Sequence, residues 1–176
     1  DYLKTLYPTS KIVASEALQC PTLLENGFGA HRIEGIGDKH VPWIHNLLNT
    51  DMVVAIDDNA VVNLARLFNE PEGQAYLVKS GVPEAVVKKL DLFGFSGIGN
   101  LLSAIKFAKY YELGEQDIVL SVLTDSMELY GSRIREMHEE FGAYSERDAA
   151  AHFSRYMLGQ SIDNLLELSY VERRRV

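Results

Sequence analysis

The chain has 176 residues, of which 47% are hydrophobic and 24% are charged, and its net charge is -8 at neutral pH. This length suits one domain with a sizeable core, and the acidic balance argues against nucleic acid and anionic membranes as partners. No apolar run reaches the roughly 20 residues of a membrane helix, and the single cysteine, Cys20, allows no internal disulfide. These features predict a cytoplasmic protein.

The first half of the chain alternates short apolar runs with helical patterns. It opens at Asp1 without a Met, inside a helical pattern over residues 2–7, which predicts a piece of a longer protein. The elements that follow are a strand over 11–17, a short helix over 23–26, an extended segment over 31–36, a short helix over 41–48, a strand over 51–56 and an amphipathic helix capped by Asp57 or Asp58.

The second half continues the alternation. Its patterns predict helices over 75–92, a turn over 93–97 and a helix over 98–108, with Gly114 just past its end. A strand over 117–124 follows, and after it a helix with a stripe of Met127, Tyr130, Ile134 and Met137. The last two predicted elements are a helix that begins at a capping box at Ser145 and a helix over 162–168. This order favours an α/β fold, with a three-layer, mostly parallel sheet and helices on both faces. No linker divides residues 1–176, so we predict a single domain.

The stretch 117–133 is the feature around which the other motifs are arranged. Its apolar run ends in a polar turn at Thr124, Asp125 and Ser126, and a helical pattern follows. Ligands of open parallel sheets bind outside the carboxyl ends of strands, so this turn is a candidate binding site. The simpler interpretation is that Asp125 or Ser126 caps the next helix.

Other chemistry has weak support. The five histidines do not lie at metal-ligand spacing, since His40 and His45 are five residues apart across Pro42. No serine lies in a G-x-S-x-G elbow, so we assign no catalytic residue and no metal site. Glycines at 94, 97 and 99 precede a helix but lack the G-x-G-x-x-G spacing, and Ser96–Gly99 is better explained as a tight turn than as a nucleotide site.

Several segments resemble a known family when they are taken together. The sequence HRIEGIG at 31–37, followed by Val41-Pro42, resembles the EGIG loop of fold-type II pyridoxal-phosphate enzymes of the cysteine synthase and cystathionine β-synthase branch. The sequence LTDSMELY at 123–130 is similar to that branch's LP(S/D)SGERY segment, and 93–97 resembles a degraded GISSGA turn. The strand at 12–16 stands where the family has its aVEP strand, and the motifs occur in the family's order.

The resemblance implies roles for specific residues. Ser126 matches the serine whose hydroxyl bonds the pyridine nitrogen of pyridoxal phosphate, and Asp125 must then point elsewhere. Gly35, Ile36 and Gly37 match a loop whose backbone approaches the cofactor, and Thr124 belongs to the same strand-end turn as Ser126. The fold implied is the large domain of a tryptophan synthase β-like enzyme, and the reaction is α,β-elimination or β-replacement on an amino acid substrate.

The departures from the family pattern are equally specific. The family's Schiff-base lysine and phosphate loop precede the aVEP strand, and neither is found in this chain. The resemblance therefore implies the C-terminal portion of a longer, homodimeric enzyme, inactive alone, whose missing N-terminal part completes the cofactor site. Met127-Glu128-Leu129 stands where the family has Gly-Glu-Arg, so the substrate stays open.

Two alternatives belong to other functional classes. The chain is either part of such an enzyme or a non-catalytic module that pairs with another chain through an exposed sheet edge, with Arg173, Arg174 and Arg175 in the interface. A nucleotide-binding α/β domain that uses Ser96–Gly99 is the third and weakest alternative.

Overall fold

The centre of the protein is a small mixed sheet. In the computed structural model, which describes residues 1–176, β1 (Val13–Ala17) runs parallel to β2 (Met52–Ile56), and β3 (Leu165–Glu167) pairs antiparallel with β2 on its other side. The strands expected over 11–17 and 51–56 are confirmed, each slightly shorter than expected. The prediction of a mostly parallel sheet is wrong, because one of its two strand pairings is antiparallel. The antiparallel strand, β3, lies within residues 162–168, where a helix was expected.

Helices surround this sheet. They are α1 (Tyr2–Leu6), α2 (Thr22–Glu25), α3 (Asp58–Asn69), α4 (Pro71–Lys79), α5 (Glu84–Val87), α6 (Phe95–Tyr110), α7 (Gly131–Phe141), α8 (Glu146–His152) and α9 (Tyr170–Arg175), with 3-10 turns at Leu47–Asn49, Leu90–Leu92 and Met127–Tyr130 and a π-helical turn at Phe153–Leu158. Two predicted caps are confirmed. Asp57 accepts from the Asn59 N–H at the start of α3, and Ser145 and Asp148 form the capping box of α8.

Apolar side chains pack against both faces of the sheet. Met52, Val54 and Ile56 point into the larger core, which α3 and α6 cover. The alternate residues Val53 and Ala55 point to the opposite face and meet a smaller cluster that contains Leu23, Leu24 and Leu168. Strand alternation thus sends successive residues of β2 into two cores, and the predicted three-layer arrangement is present around a smaller sheet than expected.

The expected strand over 117–124 is absent. Residues 118–123, named here the open segment, form neither helix nor strand, and their side chains are largely exposed. The apolar run is present, but no neighbouring strand of this chain reaches it. Two shorter expectations are also wrong, since 31–36 forms turns and bends, and 41–48 has a turn at 43–44 and the start of the 3-10 turn Leu47–Asn49 in place of a helix.

No helix of the structure has both the length and the apolar character needed to cross a membrane.

Candidate functional site

The loop over residues 31–37 is a turn whose glycines have backbone angles that other residues avoid. Gly35 has φ of 90° and Gly37 has φ of 102°. The Gly37 carbonyl lies 3.2 Å from His31 Nε2, and a Cβ added to Gly37 would lie 2.9 Å from that nitrogen. The close turn predicted from the glycines is therefore real, and at Gly37 it leaves no room for a side chain.

Two polar contacts fix this loop to neighbouring helices. The Arg32 N–H donates to Asp58 Oδ2 at 2.6 Å, at the first residue of α3, and Arg133 of α7 forms an ion pair with Glu34 at 2.5 Å. Burial raises the pKa of the Asp58 carboxyl, and the Arg32 N–H bond opposes that shift because it favours the charged form. The loop is thus held from both sides.

The start of α6 lies directly against this loop. An added Cβ at Gly35 would lie 3.4 Å from both Cβ and Oγ of Ser96, and one at Gly99 would lie 3.0 Å from Ile36 Cδ1. Ser96 is fully buried, and its Oγ lies 2.6 Å from Thr124 Oγ1. The hydroxyl pair connects α6 to the polar turn that follows the open segment.

Asp125 is the most constrained residue of that turn. Its carbonyl accepts from the Gly94 N–H at 3.1 Å, and its Oδ2 accepts from the Tyr130 hydroxyl at 2.5 Å. A Cβ added to Gly94 would lie only 2.0 Å from Asp125 Oδ1, and that oxygen is buried without a hydrogen-bond partner. Burial and the adjacent Asp125 carboxylate raise the pKa of Tyr130 to about 12, so this phenol stays protonated at neutral pH.

Ser126 differs from its neighbours because its hydroxyl is free. The side chain is half-buried and makes no hydrogen bond within the chain. Ser126 stands at the N-cap of the 3-10 turn Met127–Tyr130, but no side-chain cap bond is present there. The prediction that Asp125 or Ser126 caps the following helix is therefore wrong. The Asp125 carboxylate accepts from the Tyr130 hydroxyl instead, and it makes no cap bond to the helix that follows.

The structure thus brings together most of the residues singled out in the sequence. Gly35 and Ile36 from the first loop and Thr124 and Asp125 from the polar turn all meet the start of α6. Gly37 faces His31, and Ser126 follows directly with an unpaired hydroxyl. Whether these residues bind a cofactor stays a prediction.

Sequence reasoning missed three residues that organise this region. Ser96 was assigned to a turn, but it lies in the first turn of α6 as the buried partner of Thr124. Gly94 had no specific role, and Tyr130 was assigned only to the stripe of a helix, although its hydroxyl donates to Asp125. A glycine just before a helix start was the available signal for Gly94. No local pattern connects Ser96 to Thr124, because they are 28 residues apart in sequence.

Protein atoms occupy the space beside the first turn of α6, where the nucleotide alternative would place its ligand. An added Cβ at Gly97 would lie 3.3 Å from Leu123 Cδ2, and the Ser96 hydroxyl is paired with Thr124. No observation therefore favours the nucleotide alternative. Two clefts lie elsewhere, one of about 640 Å³ between α2 and α9 and one of about 490 Å³ outside the carboxyl ends of β1 and β2, and neither is lined by the predicted site residues.

The fold defines the class of protein to which this chain is similar. The hydrogen sulfide-producing enzyme of Fusobacterium nucleatum superimposes with a TM-score of 0.55 at 23% identity, over 94% of this chain and 42% of that enzyme. A variant of the same enzyme, in complex with an α-aminoacrylate intermediate, gives a TM-score of 0.56 over the same shares. The α/β fold of this chain is therefore similar to that of the matched 42% of this enzyme.

The particular relatives are cysteine synthases. Cysteine synthase B of Campylobacter jejuni is 28% identical over 130 residues, and a cysteine synthase of Staphylococcus aureus is 27% identical over 128 residues. These matches cover 74% and 73% of this chain, and no family model matches it. The chain is a distant, partial homologue of cysteine synthases, as its motifs predicted.

The homology covers a minor part of each relative. The matched region is 36% of the Campylobacter jejuni enzyme and 35% of the Staphylococcus aureus enzyme. The chain thus spans about a third of the length of the curated relatives that it matches.

Proposed function

We propose that the chain forms one wall of the pyridoxal-phosphate site of a cysteine synthase-like enzyme. The observation that carries this proposal is the meeting of three segments that are far apart in sequence, namely 35–36, 94–99 and 123–125, with Ser126 directly after the third. The enzyme would catalyse α,β-elimination or β-replacement on an amino acid. When bound, the cofactor supplies an electron sink, and the protein supplies binding and orientation.

The residues around Ser126 fit the side of such a cofactor that carries the ring nitrogen. The half-buried Ser126 hydroxyl has no partner within the chain, so it is available to a ring nitrogen. A hydroxyl does not force protonation of that nitrogen, whereas a carboxylate would favour the protonated form. The Asp125 carboxylate is held by Tyr130, and its second oxygen lies against Gly94, so it does not compete for the same position. The backbone of the turn at Gly35, which packs against Ser96, is the part of the loop that we propose lies near the cofactor.

The residues that would complete the cofactor site are not found in this sequence. Neither the lysine that would hold the cofactor covalently nor a glycine-rich phosphate loop occurs at a matching position of the sequence. We therefore propose that the chain is inactive by itself. A homodimeric parent enzyme completed by an N-terminal part is the corresponding proposal for its assembly.

A chimera tests this function. The part of Campylobacter jejuni cysteine synthase B that precedes the matched region is joined ahead of Asp1, and pyridoxal phosphate is added. We expect a visible absorbance band from the bound cofactor, which the 176-residue chain alone does not give. A folded chimera without that band would contradict the proposal.

Ser126→Ala tests the role of the free hydroxyl. In the chimera we expect this variant to keep the cofactor band and to lose about tenfold in kcat, as for one hydrogen bond of about 1.4 kcal/mol. Ser132→Ala is the matched control, because Ser132 is an exposed serine of α7. Equal kinetics of the two variants would remove Ser126 from the site.

A non-catalytic pairing module is the second candidate function. The observation in its favour is the exposed apolar surface of the open segment, together with that of Trp43 and Ile44. Patches of this kind mark interaction sites on soluble proteins. The module would bind its partner whether or not a cofactor is present, so a complex that forms without pyridoxal phosphate and never gives the cofactor band would favour it.

A further inference from the structure

The cleft outside the carboxyl ends of β1 and β2, named here the strand-end cleft, lies where open α/β sheets bind their ligands. It has a volume of about 490 Å³, and Leu18, Ile56 and Asp57 at the ends of the two strands form part of its wall. The π-helical turn Phe153–Leu158 and the residues after it form another part. Such turns are rare and occur frequently at functional sites. No residue of the proposed cofactor site lines this cleft, so a ligand here occupies a second site.

The charges of the strand-end cleft that have no ion-pair partner are one cation and one anion. Arg155 forms neither an ion pair nor a hydrogen bond within the chain. Asp57 forms no ion pair, and its Oδ1 accepts from the Asn59 N–H at 2.6 Å, which leaves its Oδ2 without a partner. The other two charged groups of the cleft, Lys106 and Asp163, pair with each other. A ligand that satisfies both remaining charges therefore carries one negative and one positive group.

The two groups without ion pairs lie at different ends of the cleft. The Arg155 guanidinium lies over the Tyr156 ring, 5.2 Å from its centroid, and the Tyr156 hydroxyl accepts from Asn63 Nδ2 at 3.4 Å. Asp57 precedes Asn63 by about 9 Å along α3, at about 1.5 Å of rise per residue. This separation suits a small molecule that is held at each end by a charge-assisted hydrogen bond of about 2.8 Å.

A buried donor in the wall of the cleft is not fully used by the protein. Lys106 is only 4% exposed, and its ammonium donates to the Asp163 carboxylate and, at 2.8 Å, to the Asp163 carbonyl. An ammonium has three N–H donors, so the third has no acceptor within the chain. An unsatisfied buried donor is destabilising, and a carboxylate bound in the cleft would supply the missing acceptor.

Ligands of other charge fit this cleft less well. A phosphate or a dicarboxylate would place a second negative charge near Asp57 and Asp163, and a polyamine would place its charges near Arg155 and Lys106. A small zwitterion avoids both conflicts. Neutral hydrogen-bonding groups for it are supplied by four amide side chains of the wall, those of Asn59, Asn63, Gln160 and Asn164.

We propose that the strand-end cleft is a binding site for a free α-amino acid, whose carboxylate accepts from Arg155 and Lys106 and whose ammonium donates to Asp57. The volume of the cleft lies within the usual range of about 300–1,000 Å³ for small-molecule sites. The inference does not rest on the proposed function, because it needs neither the cofactor nor the residues around Ser126.

Nuclear magnetic resonance of the 176-residue chain, without cofactor, provides the test. The protein amino acids are titrated one at a time, and we expect at least one to bind with a dissociation constant of about 1 mM or less. Binding should move the side-chain amide signals of the cleft in a saturable way. The signals that should move are those of Asn59, Asn63, Gln160 and Asn164, and the controls that should not move are those of Asn46 and Asn69.

Analogues with a single charge test whether the cleft recognises both ends of the ligand. They are the deaminated and decarboxylated forms of the amino acid that binds most tightly, as propionate and ethylamine are for alanine. We expect each analogue to bind at least about tenfold more weakly, because one charge-assisted hydrogen bond is lost. A deaminated analogue that binds as tightly as the amino acid would show a simple anion site and overturn the proposal.

Two variants test the assigned residues. Arg155→Gln removes the exposed cation, and Asp57→Asn removes the anion while it keeps a good N-cap residue for α3. We expect each to weaken amino acid binding about tenfold or more and to leave the melting temperature nearly unchanged. Arg147→Gln is the matched control, because Arg147 is an exposed arginine of α8 outside the cleft, and it should bind like the wild-type protein.

Two further results would overturn the inference. The first is a titration series in which no amino acid moves the four amide signals of the cleft. The second is equal affinity of Arg155→Gln and Arg147→Gln for the amino acid, which would place its binding site elsewhere.

Discussion

β2 and the open segment are similar in sequence and opposite in environment. The five residues MVVAI of β2 are all buried, with a paired strand on each side. The six residues IVLSVL of the open segment pair with no strand and leave their outer side chains in solvent. Strand propensity describes fitness for a paired, half-buried surface rather than an intrinsic backbone preference. The difference shows that the extent of this sheet depends on which neighbours are present, not on where apolar runs occur.

The largest expected effect comes from placing the same charge in each region. Val54→Asp buries an unpaired carboxylate in the fully buried centre of β2 and should cost about 4 kcal/mol or more of the free energy of unfolding. Leu120→Asp places the carboxylate in solvent and should change that free energy by no more than about 0.5 kcal/mol. Urea denaturation followed by circular dichroism measures both. Comparable losses would mean that the open segment is buried in solution.

A smaller effect is expected where the open segment is anchored. Gly94→Ala places a methyl group 2.0 Å from Asp125 Oδ1, so the carboxylate must move and its bond to Tyr130 must weaken. We expect a loss of about 1–3 kcal/mol of the free energy of unfolding. Gly131→Ala is the control, because nothing lies within 4 Å of its added Cβ and its φ is -58°. This control should be neutral or stabilising, and equal losses in the two variants would contradict the contact at Gly94.

The third effect, similar in size to that at Gly94, is a pH-dependent one at the same anchor. Tyr130→Phe removes the donor to Asp125 and should cost about 1–3 kcal/mol of the free energy of unfolding at neutral pH. The pKa of Tyr130 is raised to about 12 in the folded protein, so the unfolded state loses this proton first as the pH rises. The contribution of Tyr130 is therefore complete below about pH 10 and is lost between about pH 10 and 12.

Paired denaturation series isolate that contribution. Burial also raises the pKa of Tyr111 and Tyr144, so the wild-type protein alone would not separate the three phenols. The difference between the wild-type protein and Tyr130→Phe should shrink from pH 10 to 12. A difference that stays constant with pH would show that the Tyr130 hydroxyl titrates normally.

Local signals in the sequence predicted the parts of the fold that depend on local physics. Asp57 and the Ser145–Asp148 capping box were recognisable, because a cap bonds backbone two or three residues away. β1 and β2 were recognisable as short apolar runs between turn signals. The segment 162–168 was not, because its strand state depends on pairing with β2, far away in sequence.

The candidate site shows the same limit. The glycine turn at Gly35 and the polar turn at Thr124–Ser126 could be identified from residue types and motif order. The hydroxyl pair of Ser96 and Thr124 and the fit of Gly94 against Asp125 could not, because each joins segments that only the tertiary fold brings together. The open segment was predicted as a strand because it is a short apolar run, but no other strand of this structure pairs with it.

The position of β3 has a consequence for how this chain folds. Met52 of β2 pairs with Glu167, so the antiparallel edge of the sheet joins two segments that are far apart in sequence. Contacts between residues so distant in sequence slow folding, and synthesis proceeds from the N-terminus. On the ribosome, β1 and β2 therefore emerge long before β3 is available. Until β3 pairs, β2 is an apolar strand with one edge uncovered, and this is the interval in which the folding chain is most exposed to aggregation.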